Sequence, residues 1–503
     1  MTSINSDFMS QLALRSLGNS SNMMTQAMER LSTGKRVNSA ADDAAGLGIA
    51  TKLRAQVNSL NAATRNATDA LALIGTIDGA LEESGEILLR MRELAVQSAS
   101  DTNTGTDRSF IQDEINALNN ELNRISSSTE FNAVKLLDGT YNNKQIQIGT
   151  GANQVFNIGV TATDSSTLGA YELESVAEIT ASSGTASAGA ATTALTNALA
   201  DAADYTVKGS FGSATVKVDA GADARDVAKS FNLSAGTTGI NATAITKASI
   251  TGLGKATTIS FTLQGKSTSA STVNATVDST SNLTALKDAI NSVSGATGIS
   301  ASLTTDLSGI NLVQQEGYDI VIGDVTTSHL SGTMTVKVAD KAGTAQGTEQ
   351  TLKGFTTADD SVAMVGQVSL SSHKAFTVAS GDAANHFATD TSAQTSTLQS
   401  MGAVDISSQT GATKALSVID GAIAMISEVR SEMGAAENRL TSTVDNLSNV
   451  SVNTQRSLTA VEDANFASET SALTKAQILQ QAATSMLAQA NKAKQTMLVL
   501  LQG

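Results

Sequence analysis

The chain has 503 residues, about three times the usual domain length, so two to four domains are expected. It contains no proline, cysteine or tryptophan and 3% aromatic residues, which excludes disulfides, thiolate metal sites, thiol nucleophiles and a large aromatic core. Lys+Arg 32 against Asp+Glu 47 leaves a net charge of −15 at pH 7, which repels phosphate backbones and argues against nucleic acid as a partner.

From the N-terminus, Leu14, Leu17, Met24, Met28 and Leu31 recur in alternating steps of three and four once Ser21 takes its slot, the pattern of a heptad seam on a first helix. Thr33-Gly-Lys-Arg36 breaks it, and Ser39 with Asp42 three residues on reads as a capping box opening a second helix. That helix has a seam of Leu53, Val57, Leu60, Ala67, Leu71, Ile74, Leu81 and Leu88. Gly48 lies inside it at a cost of about 0.8–1.0 kcal/mol relative to alanine, which predicts a close backbone approach or a local bend. A turn-rich stretch from Asp101 to Gly105 precedes a third helix carrying Ile111, Ile115, Leu118, Leu122 and Ile125.

Between roughly Tyr141 and Val404 the texture changes to Ser, Thr, Ala and Gly with period-two runs. Gln145-Ile-Gln-Ile148 and Val155-Phe-Asn-Ile158 flank a Gly-rich turn and read as a hairpin. Thr215–Val218, Ile259–Leu263 and Thr335–Val338 are further strand candidates. Thr237-Thr-Gly-Ile-Asn-Ala-Thr243 recurs as Ala296-Thr-Gly-Ile-Ser-Ala-Ser302, each after a short helix-like stretch, so two copies of a small β-plus-helix unit are expected.

Helical periodicity returns near the C-terminus. Leu416, Ile419, Ile423, Ile426, Met433, Leu440, Val444, Leu447, Leu458 and Val461 share one three-four frame, and a last segment continues through Leu479, Ala483, Met486, Ala490, Ala493, Met497 and Leu500. Apolar seams at both ends of the chain suggest that the ends pair and the β-rich middle is an insertion. The expected fold is therefore α+β: long antiparallel coiled-coil helices from both termini forming a rod, with a β-rich outer region inserted between them. One intramolecular partner leaves part of the C-terminal helix circumference apolar, and copies of the same chain are the simplest cover. Packing through patches that are not self-complementary propagates into an open helical filament. The missing proline fits long unkinked helices, and it removes the slow X-Pro step from any refolding after export.

Glu29-Arg-Leu-Ser-Thr-Gly-Lys-Arg-Val-Asn-Ser-Ala40 followed by Asp42-Asp-Ala-Ala-Gly-Leu47 resembles the N-terminal signature of bacterial flagellins. Arg90-Met-Arg-Glu-Leu-Ala-Val-Gln-Ser-Ala99 and Thr129-Glu-Phe-Asn132 resemble its next blocks, and Ala476-Gln-Ile-Leu-Gln-Gln-Ala482 with Met486-Leu-Ala-Gln-Ala-Asn491 resembles the family's C-terminal helix. The likeness covers about the first 175 and last 100 residues. It implies a flagellar filament subunit, a structural protein of swimming motility. Such a subunit is secreted by type III export to the extracellular filament. There it polymerises with itself under a cap protein, next to a hook-junction protein, after being held by a cytoplasmic export chaperone.

The family plan assigns 1–40 and 464–503 to a terminal coiled coil forming an inner tube. It assigns 41–176 and 404–463 to a helical rod domain with a β-hairpin, and 177–403 to surface-exposed outer units. The self-assembly residues expected from the seams are Leu17, Met24, Leu31, Leu53, Leu60, Leu440, Leu447, Leu479, Met486 and Leu500. Arg90, Leu94 and Glu114 stand where the resemblance implies a contact for the animal Toll-like receptor for flagellin, while the primary role expected of Leu94 and its neighbours is to face an adjacent subunit.

The residues offer little to an enzyme. His329, His373 and His386 lack the His-Glu-x-x-His spacing of a zinc peptidase and read as surface residues, so no metal or cofactor is expected. Asp42-Asp43 superficially resembles a carboxylate dyad, but the first turn of a helix explains the pair by capping. The start Met1-Thr-Ser-Ile lacks the cationic and apolar regions of a secretory signal, and no apolar run approaches a bilayer span, so no membrane insertion is expected. The sequons Asn66-Ala-Thr68 and Asn241-Ala-Thr243 therefore read as accidental, and the resemblance makes O-linked sugars on outer serines and threonines plausible without selecting a residue. The alternative function is a hook-filament junction or adhesion protein with the same terminal blocks.

Overall fold

A computed structural model of the chain describes residues 8–175, 179–180, 203–267, 269–304, 306–329, 332–341, 343, 345–353, 361–380, 387 and 393–502; the side chains at 9, 179–180, 203, 345–348, 493–494 and 497–502 lie outside that description. In chain order the described helices are α1 (Phe8–Thr33), α2 (Ala44–Ala99), α3 (Gly105–Ser128), α4 (Ala224–Leu233), α5 (Ala235–Thr238), α6 (Thr284–Ser292), α7 (Ser294–Thr297), α8 (Gln409–Glu462) and α9 (Phe466–Gln502). Long helices at the two ends thus enclose a β-rich middle in the sequence.

Local chemistry sets the helix ends. Thr104 opens α3 with a capping box: its hydroxyl accepts from the Asp107 N–H at 3.3 Å, and the Asp107 carboxylate accepts from the Thr104 N–H at 2.9 Å. The start of α2 differs from the expected Ser39 box. The Asp42 carboxylate reaches back to the Ser39 N–H (2.9 Å) and hydroxyl (3.0 Å), closing the preceding turn, so Asp43 caps the helix by accepting from the Gly46 N–H at 2.7 Å. Nothing approaches within 4 Å of a Cβ built on Gly48, so the expected close backbone approach is not there.

The chain divides into two units, Met1–Gly75 with Asn143–Gly159 and Gly434–Gly503, and Thr76–Asn142 with Val160–Met433. This division falls inside α2 and α8, not at the boundaries the family plan draws at 40 and 464. In the first unit α1 packs along α9. The beginning of α2 and the end of α8 run antiparallel, with Arg54 on Glu462 and Asn61 accepting from Ser451 at 3.1 Å. The hairpin Lys144–Gln147 with Val155–Ile158 joins them: Asn66 donates to the Gln147 carbonyl at 2.9 Å, and the Arg439 guanidinium lies 5.0 Å from the Phe156 ring centre.

In the second unit α2 is buried on two sides. Leu81, Leu88 and Ala95 form one stripe, while Ile77, Met91, Leu94 and Ser98 form another. On one side Arg430 holds Asp78 at 2.8 Å and Arg92 holds Asp420 at 2.6 Å, again antiparallel to α8. On the other, Ser98 donates to the Ile406 carbonyl at 2.6 Å, Gln112 accepts from the Ile406 N–H at 2.7 Å, and Asn119 donates to the Met401 carbonyl at 3.1 Å. Polar side chains of α2 and α3 thereby satisfy the backbone that leads into α8. Where α8 crosses the strand Gly169–Glu174, a Cβ on Gly421 would stand 2.7 Å from the Ala170 Cβ, a contact that only glycine admits.

Within the β-rich part the same order occurs twice: two strands, two short helices, one strand. It runs as Ala203–Lys208, Ser213–Val218, α4, α5 and Asn241–Leu253, then as Thr257–Gln264, Ser271–Val277, α6, α7 and Ile299–Leu303. Corresponding residues make the same bonds. Asn232 donates to the Ala242 carbonyl and accepts from its N–H, both at 2.8 Å; Asn291 does so with Ala301 at 2.9 and 2.8 Å. Both α5 and α7 end on a left-handed glycine, Gly239 (φ 73°) and Gly298 (φ 69°), after which the chain turns into a strand.

The long strand Asn241–Leu253 organises the largest sheet. Its first half pairs with Gln367–Ser372, and its second half lies between Ile310–Gln314 and Thr333–Ala339, all antiparallel. One core gathers Tyr205, Phe231 and Phe387 with ring centres 5.6–5.8 Å apart, and a larger aliphatic core surrounds Phe261, Leu286, Ile290 and Leu312.

Candidate self-assembly surface

The α1–α9 pair buries little. Its α1 side is Ser10, Ala13, Leu17, Ser20, Met24, Ala27 and Leu31, a strict three-four pattern in which four of seven positions are alanine or serine; its α9 side includes the buried Ala476 and Ala483 with half-buried Leu473, Leu487 and Ala490. Other large apolar side chains point elsewhere. Phe8, Leu12, Leu14, Met23 and Met28 on α1, and Ile478, Leu479 and Met486 on α9, are 39–70% exposed. Leu14 and Met28 thus leave the expected seam to Ala13 and Ala27, while Leu17, Met24 and Leu31 keep their places. Small residues let two backbones approach, which turns the bulky neighbours outward.

Next to this pair the two chain reversals are tied together. The Arg36 N–H and guanidinium donate to the Glu462 and Val461 carbonyls at 2.6 and 2.8 Å, and the Ala464 N–H donates to the Gly34 carbonyl at 2.9 Å. Glu462 is the charge at their centre, its side chain 7% exposed, accepting from Arg54 at 2.5 and 2.6 Å and paired with Lys35. The hydrogen bond from Lys35 lowers its pKa, burial opposes that, and Arg54 adds to the lowering. Arg30 completes the brace on Glu469 at 3.3 Å. Periodicity did not single out Glu462; its one legible signal is that Lys35, Arg36 and Arg54 bring positive charge to the other end of the chain.

The expected assembly residues separate into classes. Leu479 and Met486 are exposed; Leu17, Met24, Leu31, Leu53 and Leu447 are half-buried within the single chain. Leu60 and Leu440 are buried at 4% and 0% within the single chain, so their side chains offer no surface there. The Leu500 and Met497 side chains lie outside the described residues, as does His386. Phe8, Leu12 and Ile478, which the seams missed, join the exposed set.

In the second unit Arg90 is exposed and ion-paired, to Glu114 at 2.9 Å and to Glu93 at 3.0 Å, and these bonds raise its pKa, Glu114 foremost. Leu94 is 2% exposed, so a contact made by its side chain with a receptor or an adjacent subunit is not available in this conformation. The surface here is the Arg90–Glu114 pair with exposed Leu89, Val96 and Phe110. Among the described residues no group of three His, Asp or Glu could hold a metal ion, and no helix is long and apolar enough to cross a membrane. His373, just past the strand Gln367–Ser372, contacts Glu428 of α8 at 3.3 Å.

Comparison with known proteins places these helices in a family. Residues 4–142 match the model of the bacterial flagellin N-terminal helical region, 416–501 that of the C-terminal helical region, and 258–314 the flagellin hook IN motif, which coincides with the second of the repeated β-plus-helix segments. The chain is 34% identical to the B-type flagellin of Pseudomonas aeruginosa over 99% of both chains. It is 32% identical to a flagellin of Clostridium tyrobutyricum over 98% of this chain and 100% of that one, and 31% identical to a flagellin of Salmonella typhimurium over 99% of each.

Proposed function

The chain belongs to the bacterial flagellins, and from that premise we propose that it is the structural subunit of an extracellular flagellar filament, the helical propeller of swimming. One observation carries the reading: a helix pair whose seam alternates alanine and serine with Leu17, Met24 and Leu31 leaves Phe8, Leu12, Leu14, Met23, Met28, Ile478, Leu479 and Met486 exposed. Exposed apolar surface of this extent on one pair of helices marks an interaction site. A second copy of the same helices supplies matching apolar chemistry, and a contact between different faces continues without closing. Residues 1–40 and 464–503 then form the inner tube, with 41–176 and 404–463 around them and 177–403 outermost. The role asks for no catalytic group.

The remaining partners follow from the family plan: a cap protein at the growing end, a junction protein at the hook, and an export chaperone on the C-terminal helix while the exposed face has no other cover. For the animal Toll-like receptor, the contact surface we propose is Arg90 with Glu114, Leu94 supporting it from beneath. Arg90→Asp is expected to reduce activation of receptor-bearing reporter cells at least tenfold; full activation by that variant would remove this contact.

Reassembly of heat-depolymerised protein into long filaments, seen by electron microscopy, tests the main reading. A junction or adhesion protein with the same termini would remain a short oligomer or monomer under conditions that permit growth.

A further inference from the structure

The chain has no cysteine and no tryptophan, so methionine thioethers are its only sulfur and its most readily oxidised side chains. Their exposure is uneven. Met91, Met334, Met364 and Met401 are fully buried and Met433 is 4% exposed, whereas Met23, Met28 and Met486 are 43%, 50% and 59% exposed. Among the described residues all three exposed methionines lie on α1 and α9, on the apolar surface that the self-assembly reading needs. We propose that Met23, Met28 and Met486 are oxidation sites of the free subunit, and that their sulfoxides keep the subunit out of the polymer until they are reduced. This inference rests on that self-assembly reading.

The oxidant is a peroxide. A sulfur lone pair attacks one peroxide oxygen, the O–O bond breaks, and a proton shift releases water: thioether plus hydrogen peroxide gives sulfoxide plus water, the sulfur losing two electrons and the peroxide gaining them. The product carries a strong acceptor oxygen in place of an apolar sulfur. The free subunit is affected less, because these side chains are already 43–59% exposed to water. In the polymer the oxygen must be buried against apolar neighbours without a donor, and that cost falls on association alone. Completed filaments shield the same atoms, so the sensitive interval lies between release of the subunit and its incorporation.

The test treats the purified full chain with hydrogen peroxide, maps sulfoxides by peptide mass spectrometry, and measures the lowest concentration at which filaments form. Sulfoxides are expected at Met23, Met28 and Met486 ahead of Met91 and Met334, with that concentration raised on the order of tenfold. Methionine sulfoxide reductases should restore it, untreated Met486→Gln should reproduce the loss in part, and preformed filaments should react more slowly at these positions. A Met23→Leu, Met28→Leu, Met486→Leu variant should polymerise equally well before and after peroxide. Unchanged polymerisation of protein oxidised at all three positions overturns the proposal, as does equal peroxide damage in the leucine variant. Failure of untreated wild-type protein to polymerise is a different result: it overturns the self-assembly reading itself.

Discussion

At Glu462 one carboxylate answers two basic residues from the far end of the chain, and the backbone carbonyl a third. Lys35 and Arg54 bond its side chain, and Arg36 bonds its carbonyl. A carboxyl group whose pKa is lower in the folded chain than in the unfolded one stabilises the fold above its unfolded value, near 4.3 for glutamate. That stability is lost as pH falls through the folded value. Glu462→Gln is therefore expected to cost about 1.5–3 kcal/mol at neutral pH and to show a smaller further loss on acidification than the wild type. Helix unfolding in urea at both pH values measures this, and parallel losses in the two proteins would refute it. Gly48 makes the opposite prediction. With open space around its missing Cβ, Gly48→Ala should gain about 0.8–1.0 kcal/mol of helix stability in the free subunit, and a loss in the same unfolding assay would refute the open space.

Elements repeat more faithfully than residues do. The segments around α4 and α6 share few side chains, yet Asn232 and Asn291 each clamp a strand residue through two hydrogen bonds, and the glycines Gly239 and Gly298 turn the chain at matching points. Removing either clamp leaves a strand carbonyl and N–H without a partner. Asn232→Ala and Asn291→Ala should each cost about 2 kcal/mol, two hydrogen bonds' worth, in a denaturant titration of the β-rich part. Widely different costs would mean that the two segments are held differently. Much of this was legible: the strands Thr215–Val218, Ile259–Leu263 and Thr335–Val338 sit inside observed strands, and the recurring Thr-Gly-Ile motif falls on the same turn twice. The two-sided burial of α2 was not, because a single helix seam records one partner, while Met91, Leu94 and Ser98 form a second buried stripe on which Ser98 bonds the Ile406 carbonyl.

For the whole molecule, the distinction between holding the subunit together and joining subunits is directly testable. Leu440 is fully buried, so Leu440→Ala should destabilise the free subunit by about 2–5 kcal/mol. Leu479 is in solvent, so Leu479→Asp should leave that stability nearly unchanged and abolish filament growth. Deleting the residues after Leu473 should do the same to growth while the β-rich part stays folded. Circular dichroism melting and electron microscopy on the same preparations separate the two effects. Filaments from the truncated chain would defeat the assembly model.

The long helices at both ends, the β-rich insertion, the absence of kinking residues and the family could all be read before folding, because periodicity, composition and motif spacing are properties of the chain alone. The sequence could not choose the frame of the α1 seam. Leu14 and Ala13 are both apolar and adjacent, and which one faces α9 depends on how closely two backbones approach, a quantity that exists only once they are packed. The tertiary structure made that choice in favour of the small residues, and in doing so it sent Leu14, Met28, Ile478 and Met486 outward.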